Sequence, residues 1–242
     1  MLLAATMGTM ACLDLHPERM LPSDPTLRPI AREIYHEVRD LPIISPHGHV
    51  PPRWLAEDEP FGDPTSLLIT PDHYVTRMLH ANGIGLSDLG VGEQDFSPER
   101  ARAAFRLLCS HWQVYRGTAV RFWLESELAE IFGIDIAPSS DNADEIYDAI
   151  AARLATPEFR PRALYRRFGI EFLATTDDPC DDLSFHAKLA ADPSWDGEVA
   201  PTFRPDRYLE AAQPGWNEAV DRLAEVSGID TGSYAGWVAA ME

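Results

Sequence analysis

Two histidines separated by a single glycine are the residues of this sequence best suited to metal chemistry. His47 and His49 close the run Leu-Pro-Ile-Ile-Ser-Pro-His-Gly-His, which starts at Leu41. Side chains at positions i and i+2 of an extended strand point to the same face, so both imidazoles are expected to point the same way. Gly48 allows another group to approach closely. Because imidazole is a frequent ligand of divalent metals, the pair predicts two corners of a metal site.

Three predicted strands each end in polar side chains. The runs at 43–45, 170–176 and 198–203 have strand character, and the segments between them have helical periodicity. Strands that alternate with helices are typical of a parallel α/β fold, in which reacting groups collect where the carboxyl ends of the strands meet their loops. Here these ends supply first the two histidines, then Asp177, and finally Arg204.

Each of these strand ends also admits a simpler interpretation. Asp177-Asp178-Pro179 is typical of a turn that caps the next helix. Arg204 is suited to bind an anionic ligand in a bidentate way, but an ion pair with Asp206 satisfies the guanidinium equally well. His-x-His pairs also occur by chance, and it is the position of this one at the end of a strand that favours a metal site.

A long helical segment separates the first and second predicted strands. It spans about 120 residues, and from 71 to 168 we find helices and no convincing strand. Thr70-Pro71-Asp72 predicts a helix start with Thr70 as the cap; this helix carries Tyr74 and Arg77, and the simplest interpretation packs Tyr74 in the core. The predicted organisation is a lead-in (1–26), a first helix and strand (27–50), a helical insertion (51–168) and a segment with two further strands (169–242).

The composition argues against several classes of function. The 242-residue chain has 39 acidic and 20 basic residues, a formal charge of -19, which argues against binding to nucleic acid. Its three cysteines are far apart and match no disulfide framework, which suits a reducing cytoplasm. The first eleven residues lack a basic region, so no signal peptide is expected, and no apolar run approaches the ~20 residues of a membrane span. We therefore expect a soluble cytoplasmic protein with no nucleic-acid or membrane partner.

Four widely spaced blocks together resemble the uronate (glucuronate) isomerase family of the amidohydrolase superfamily. They are Leu-Pro-Ile-Ile-Ser-Pro-His-Gly-His at 41–49, Thr-Pro-Asp-His-Tyr-Val-Thr-Arg-Met-Leu at 70–79, Thr-Thr-Asp-Asp-Pro-Cys-Asp-Asp-Leu-Ser-Phe-His at 175–186, and Pro-Thr-Phe-Arg-Pro-Asp at 201–206. The blocks occur in the expected order and cover nearly the whole chain. The resemblance implies an α/β fold of the (β/α)8 TIM-barrel type, with a large helical insertion after strand one.

The resemblance also implies a reaction, a metal and a set of site residues. The reaction is the aldose–ketose isomerisation of a sugar acid, D-glucuronate to D-fructuronate and D-galacturonate to D-tagaturonate. The metal is a divalent cation, with zinc expected. The implied roles are metal ligation by His47 and His49, catalysis by Tyr74 and Asp177, and substrate binding by Tyr74, Arg77 and Arg204.

The chain has room for only part of such a barrel. An eight-stranded barrel typically needs ~250 residues without large insertions, and the insertion leaves room for about three strands. The resemblance therefore covers an amino-terminal half, and the late aspartate that completes the family's metal site has no counterpart. We expect little turnover by this chain alone. The alternatives are a metal-dependent hydrolase of the same superfamily, and a non-enzymatic chain that folds only with a complementary carboxy-terminal half or as a homo-oligomer.

Overall fold

The computed structural model describes residues 12, 13 and 15–242, which form helices and one small parallel sheet. The prediction about a signal peptide concerns residues that lie outside this range. In chain order the elements are α1 (Leu27–Val38), β1 (Ile43–Ser45), α2 (Pro52–Glu57), α3 (Pro64–Leu68), α4 (His73–Ala81), α5 (Pro98–Ser110), α6 (Ala119–Ser126), α7 (Ala143–Leu154), α8 (Pro161–Arg167), β2 (Ile170–Ala174), α9 (Ser184–Ala191), β3 (Glu198–Ala200), α10 (Asp206–Leu209), α11 (Trp216–Ser227) and α12 (Tyr234–Met241). A π-helical turn at Glu127–Ile131 follows α6 directly.

The three strands form one parallel sheet in the order β1-β2-β3, which confirms the predicted parallel arrangement. Leu173 of β2 lies opposite Val199 of β3. Both strands end earlier than predicted, but an isolated parallel bridge joins Asp177 to Phe203 beyond them. The pairing therefore continues far enough to bring the polar residues after β2 and β3 side by side.

The chain divides into two compact units. One, the helical unit, contains the described residues as far as Arg39 together with Pro60–Arg160; the other, the sheet unit, contains Asp40–Glu59 and Pro161–Glu242. The predicted insertion has wider limits, 51–168. The limits differ because α2 and α8 pack with the sheet, where Leu55 and Tyr165 share a buried cluster with Leu173.

Side-chain caps define the ends of the helices in the helical unit. Ser97 caps α5 by accepting a hydrogen bond from the main-chain N–H of Arg100. The predicted cap of α4 is wrong. The carboxylate of Asp72 accepts hydrogen bonds from two main-chain N–H groups of the first turn, whereas the Thr70 hydroxyl donates to the carbonyl of Leu89, 2.8 Å away. Asp72 directly precedes α4, and a negative charge at the start of a helix is stabilising.

Two buried clusters stabilise the sheet unit. Beside the first, the Tyr165 hydroxyl donates to the carbonyl oxygen of Glu171, 2.9 Å away, and so ties α8 to β2. The second contains Tyr208, Ala219 and Leu223 and joins α10 to α11. Across the described ranges, each helix is too short or too polar to cross a lipid bilayer.

Candidate functional site

The two histidines that follow β1 lie side by side. β1 ends at Ser45, so His47 and His49 lie in the loop after the strand and not in the strand itself. Their Nε2 atoms are 3.1 Å apart, and their ring centroids are separated by 4.8 Å with the ring planes at 85°. Both side chains are exposed to solvent. The two imidazoles therefore point the same way, as expected, although they lie in a loop and not in a strand.

Gly48 holds this loop against the end of β2. A Cβ atom at this position would lie 3.0 Å from the main-chain oxygen of Ala174 and 3.3 Å from a methyl group of Leu173. The close approach therefore needs glycine, as the sequence predicts. The Thr176 hydroxyl donates to the carbonyl oxygen of Gly48 at 2.7 Å. These contacts fix the main chain between the two imidazoles relative to the second strand.

The histidine pair fits two ligands of one metal ion. Two nitrogens bound to the same tetrahedral zinc, each at 2.0–2.1 Å, are separated by about 3.3 Å. The observed separation of 3.1 Å between the two Nε2 atoms is close to this value. Residues 12, 13 and 15–242 contain no cluster of three or more His, Cys, Asp or Glu side chains that could hold a metal. The described part of the chain thus brings together two side chains that could bind a metal, whereas a catalytic zinc site normally has three protein ligands.

Asp177 is buried in a network of hydrogen bonds after β2. The residue is 5% exposed, and one carboxylate oxygen accepts hydrogen bonds from the Thr175 hydroxyl at 2.6 Å and from the Thr202 N–H at 3.2 Å. His186 lies behind this network, with Nε2 2.8 Å from the Thr175 hydroxyl oxygen. The neighbouring Asp178 forms the expected turn, because its side chain accepts a hydrogen bond from the N–H of Cys180 at 2.9 Å.

His186 was missed as a residue of interest by the sequence analysis. It is the last residue of the block at 175–186, but a histidine on the first turn of a helix has no distinctive spacing. Its Nδ1 atom is buried and has no hydrogen-bond partner in the described part of the chain.

Arg204 lies next to Asp177 and forms an ion pair. Its main-chain N–H donates to the carbonyl oxygen of Asp177 at 3.0 Å, so the two residues are directly connected. Its Nε donates to the Asp206 carboxylate at 2.9 Å. This hydrogen bond holds the pKa of Asp206 below its ordinary value. The side chain of Arg204 is 36% exposed, and exposed ion pairs of this kind are weak, so an anionic ligand can compete for the guanidinium.

Tyr74 and Arg77 lie together on α4 in the helical unit. The guanidinium carbon of Arg77 lies 4.7 Å from the centre of the Tyr74 ring, a cation–π geometry. The Trp123 ring meets Tyr74 edge to face, with centroids 5.8 Å apart. The simplest interpretation of Tyr74 as a core residue is wrong, because the residue is 40% exposed. The first turn of α4 directs the tyrosine outward while Val75 and Leu79 enter the core.

Glu127 is a second titratable group that sequence analysis missed. It begins the π-helical turn after α6, one helical turn beyond Trp123. Burial, with a further contribution from the negative charge of Asp72, raises the pKa of Glu127 from 4.5 to about 7. π-Helical turns are rare and often occur at functional sites, but the sequence gives no signal for one here.

The structure thus places the six predicted site residues in two groups. The sheet unit contains His47, His49, Asp177 and Arg204. The Thr176 hydroxyl connects the loop of the two histidines to the end of β2, and the main-chain N–H of Arg204 connects Arg204 to Asp177. The helical unit contains Tyr74 and Arg77, which contact each other.

Comparisons with known proteins agree on one family. The family profile for glucuronate isomerase matches residues 25–242. A uronate isomerase of Cutibacterium acnes is 58% identical over 230 residues, which are 95% of this chain and 49% of that protein. A uronate isomerase of Corynebacterium efficiens is 50% identical over 93% of this chain and 48% of that protein. The chain therefore spans about half the length of the curated relatives it matches.

Solved structures give the same result. The crystal structure of glucuronate isomerase from Caulobacter crescentus superposes with a TM-score of 0.87 at 41% identity, over 95% of this chain and 48% of that one. Uronate isomerase from Thermotoga maritima superposes with a TM-score of 0.80 at 28% identity. The predicted fold class, an incomplete (β/α)8 barrel of three parallel strands with a helical insertion after the first, is thereby confirmed. Because the family profile matches most of its residues, this chain belongs to the glucuronate isomerase family.

Proposed function

We propose that this chain provides the first half of a metal-dependent isomerase that interconverts aldose and ketose forms of a sugar acid. D-Glucuronate and D-fructuronate form one such pair, and D-galacturonate and D-tagaturonate form another. The observation that carries the proposal is the pair of Nε2 atoms 3.1 Å apart, held by Gly48 against the end of β2. Family membership supports the reaction, and the exposed guanidinium of Arg204 suits a carboxylate-bearing substrate.

The reaction defines what the site has to do. A proton leaves C2 and arrives at C1, the hydroxyl proton of O2 is transferred to O1, and the carbonyl moves from C1 to C2. Negative charge develops on the two oxygens during this transfer, and a divalent cation bound by His47 and His49, with zinc as the expected ion, would stabilise it. The two imidazoles must be unprotonated at Nε2 to serve as ligands.

The remaining predicted residues orient the substrate in this proposal. Arg204 holds the substrate carboxylate and so fixes the distance of C1 and C2 from the histidine pair. Asp177 positions Arg204, because its main-chain oxygen accepts a hydrogen bond from the N–H of Arg204. Its carboxylate accepts a hydrogen bond from the Thr175 hydroxyl. Tyr74 provides an exposed hydroxyl for proton transfer or substrate binding, with Arg77 stacked on its ring. We place the protein in the cytoplasm, which suits its free cysteines.

A chimeric enzyme tests this proposal. Residues 12–242 are fused to the second half of the Cutibacterium acnes uronate isomerase, and conversion of D-glucuronate to the ketose is measured with added zinc. We expect turnover by the chimera, at least a hundredfold less after His47→Asn, and little turnover by the unfused chain. His36→Asn, a change of an exposed histidine on α1, is the matched control and should leave turnover unchanged. An inactive but folded, zinc-loaded chimera would contradict the proposed reaction.

A further inference from the structure

His186 is a buried histidine to which the proposed reaction assigns no role. It lies on the first turn of α9, and its side chain is only 10% exposed. Nε2 lies 2.8 Å from the hydroxyl oxygen of Thr175, a fully buried residue, whereas Nδ1 is buried and has no hydrogen-bond partner among the described residues. Burying a polar ring is unfavourable unless the ring is hydrogen-bonded, so the contact with Thr175 is what stabilises a histidine at this position.

The hydrogen bonds at this contact run in one direction. The Thr175 hydroxyl has a single proton, and a carboxylate oxygen of Asp177 lies 2.6 Å away, the distance of a strong charge-assisted bond. The carbonyl oxygen of Ala200 is farther away, at 3.3 Å. Because the proton of Thr175 is donated to Asp177, the Thr175 oxygen has to accept one from Nε2 of His186. Nδ1 then carries no proton, since a buried N–H without an acceptor is costly.

Asp177 connects these hydrogen bonds to the segment after β3. Its main-chain N–H donates to the carbonyl oxygen of Thr202 at 3.0 Å, and the Thr202 N–H donates back to the Asp177 carboxylate at 3.2 Å. The carbonyl oxygen of Asp177 accepts a hydrogen bond from the main-chain N–H of Arg204 at 3.0 Å. A side chain that fixes the Asp177 carboxylate therefore also fixes the main chain that carries Arg204.

We propose that His186 is a positioning residue for substrate binding, an inference that rests on the proposed function. Through the Thr175 hydroxyl it fixes Asp177, and Asp177 in turn fixes Arg204, which holds the substrate carboxylate. A guanidinium binds a carboxylate in a bidentate way only in a defined orientation, so a displaced main chain at Arg204 weakens the substrate complex. His186 acts through these residues and does not itself touch the substrate.

Nuclear magnetic resonance of the full chain tests the hydrogen bonds without any assay of activity. We expect the isotope-labelled protein to carry the ring proton of His186 on Nε2 and none on Nδ1. In His186→Leu, the main-chain N–H of Arg204 should exchange with solvent at least about tenfold faster, because the segment that holds it opens more readily. His186→Gln, whose side-chain amide can donate to Thr175, should restore slow exchange. His111→Leu, the same change at a partly buried histidine of the helical unit, should leave this exchange unchanged.

Substrate affinity separates positioning from a merely structural role. In the chimera of residues 12–242, His186→Leu should raise the KM for D-glucuronate about tenfold and leave kcat within about twofold, because binding is weakened and the chemical step is not. His186→Gln should recover most of this loss. Thr175→Val keeps the shape of the side chain and removes the hydroxyl, so it should have the same effect as His186→Leu and provides a second test if His186→Leu does not fold.

Three results would each overturn the proposal. They are a proton on Nδ1 of His186, unchanged exchange at Arg204 in the folded His186→Leu or Thr175→Val chain, and an unchanged KM in the corresponding chimera. A chimera without turnover would contradict the proposed function instead. The position of the ring proton and the exchange rates would then still decide whether His186 holds Arg204.

Discussion

Replacement of Glu127 by glutamine should stabilise the protein, by an amount that grows as pH rises from 4.5 to about 7. Burial and the charge of Asp72 raise the pKa of this carboxyl from 4.5 to about 7. An acid whose pKa is higher in the folded state than in the unfolded state binds more protons when folded between these two values. Stability therefore falls as pH rises from 4.5 to about 7, and the full penalty is present above pH 7.

The size of this stabilisation follows from the shift in the pKa of Glu127. One pKa unit corresponds to about 1.4 kcal/mol, so a rise from 4.5 to about 7 amounts to a penalty of about 3 kcal/mol at pH 8. Glu127→Gln removes the charge and keeps the shape of the side chain. We expect the free energy of unfolding to increase by about 2–3 kcal/mol at pH 8 and to change little at pH 4.5.

Urea titrations at pH 4.5, 6 and 8, followed by circular dichroism, measure this difference. The matched control is Glu130→Gln in the same π-helical turn, whose side chain is 64% exposed and lies 3.5 Å from Arg19. A surface pair of this kind is worth at most about 1 kcal/mol, so the control should lower stability by no more than this amount at each pH. A Glu127→Gln variant that is no more stable than the unaltered chain at pH 8 would refute the reasoning about burial.

Two further predictions concern the sheet unit. Tyr208→Phe removes the hydroxyl that donates to an Asp178 oxygen at 2.6 Å. Because a partly buried carboxylate oxygen loses a hydrogen bond, we expect the free energy of unfolding, measured in urea, to fall by about 1.5–3 kcal/mol; an unchanged midpoint would contradict this. The Ser194 hydroxyl and N–H, together with Arg162, lower the pKa of Asp192 from 3.8 to about 2. This contribution to stability is present above pH 3.8 and is lost as pH falls towards 2, so Asp192→Asn should be less stable than the unaltered chain at pH 6 and equally stable near pH 2 in acid titrations.

Local patterns predicted most of the secondary structure. The sequence after the third predicted strand predicts a helix over 216–227 and a short one over 234–241, and the structure has both with these limits. The strand at Ile43–Ser45 also has its predicted limits. In these segments apolar spacing and turn residues favour the same secondary structure, so tertiary contacts alter it little.

Contacts between distant segments account for what the sequence did not predict. The assignment of α2 and α8 to the sheet unit depends on the packing of Leu55 and Tyr165 with Leu173, and no local pattern encodes such a contact. The same applies to Glu127, whose raised pKa requires burial near Asp72, more than 50 residues earlier in the chain.

Predictions for the site differ in how far local spacing could define them. The histidine pair followed from the spacing of two residues and the glycine between them. Tyr74 could not be assigned in this way, because a tyrosine at the start of an amphipathic helix can lie on either face, and only the structure shows that it is 40% exposed.

X-ray absorption at the zinc edge tests most directly whether His47 and His49 share one metal ion. The sample is the chimera of residues 12–242 with the second half of the Cutibacterium acnes enzyme, loaded with one equivalent of zinc. We predict scattering from the imidazoles of His47 and His49. The number of imidazole ligands should fall by one in His49→Asn and should not change in His36→Asn. An unchanged number of imidazole ligands in His49→Asn would contradict the assignment of the pair as the metal site.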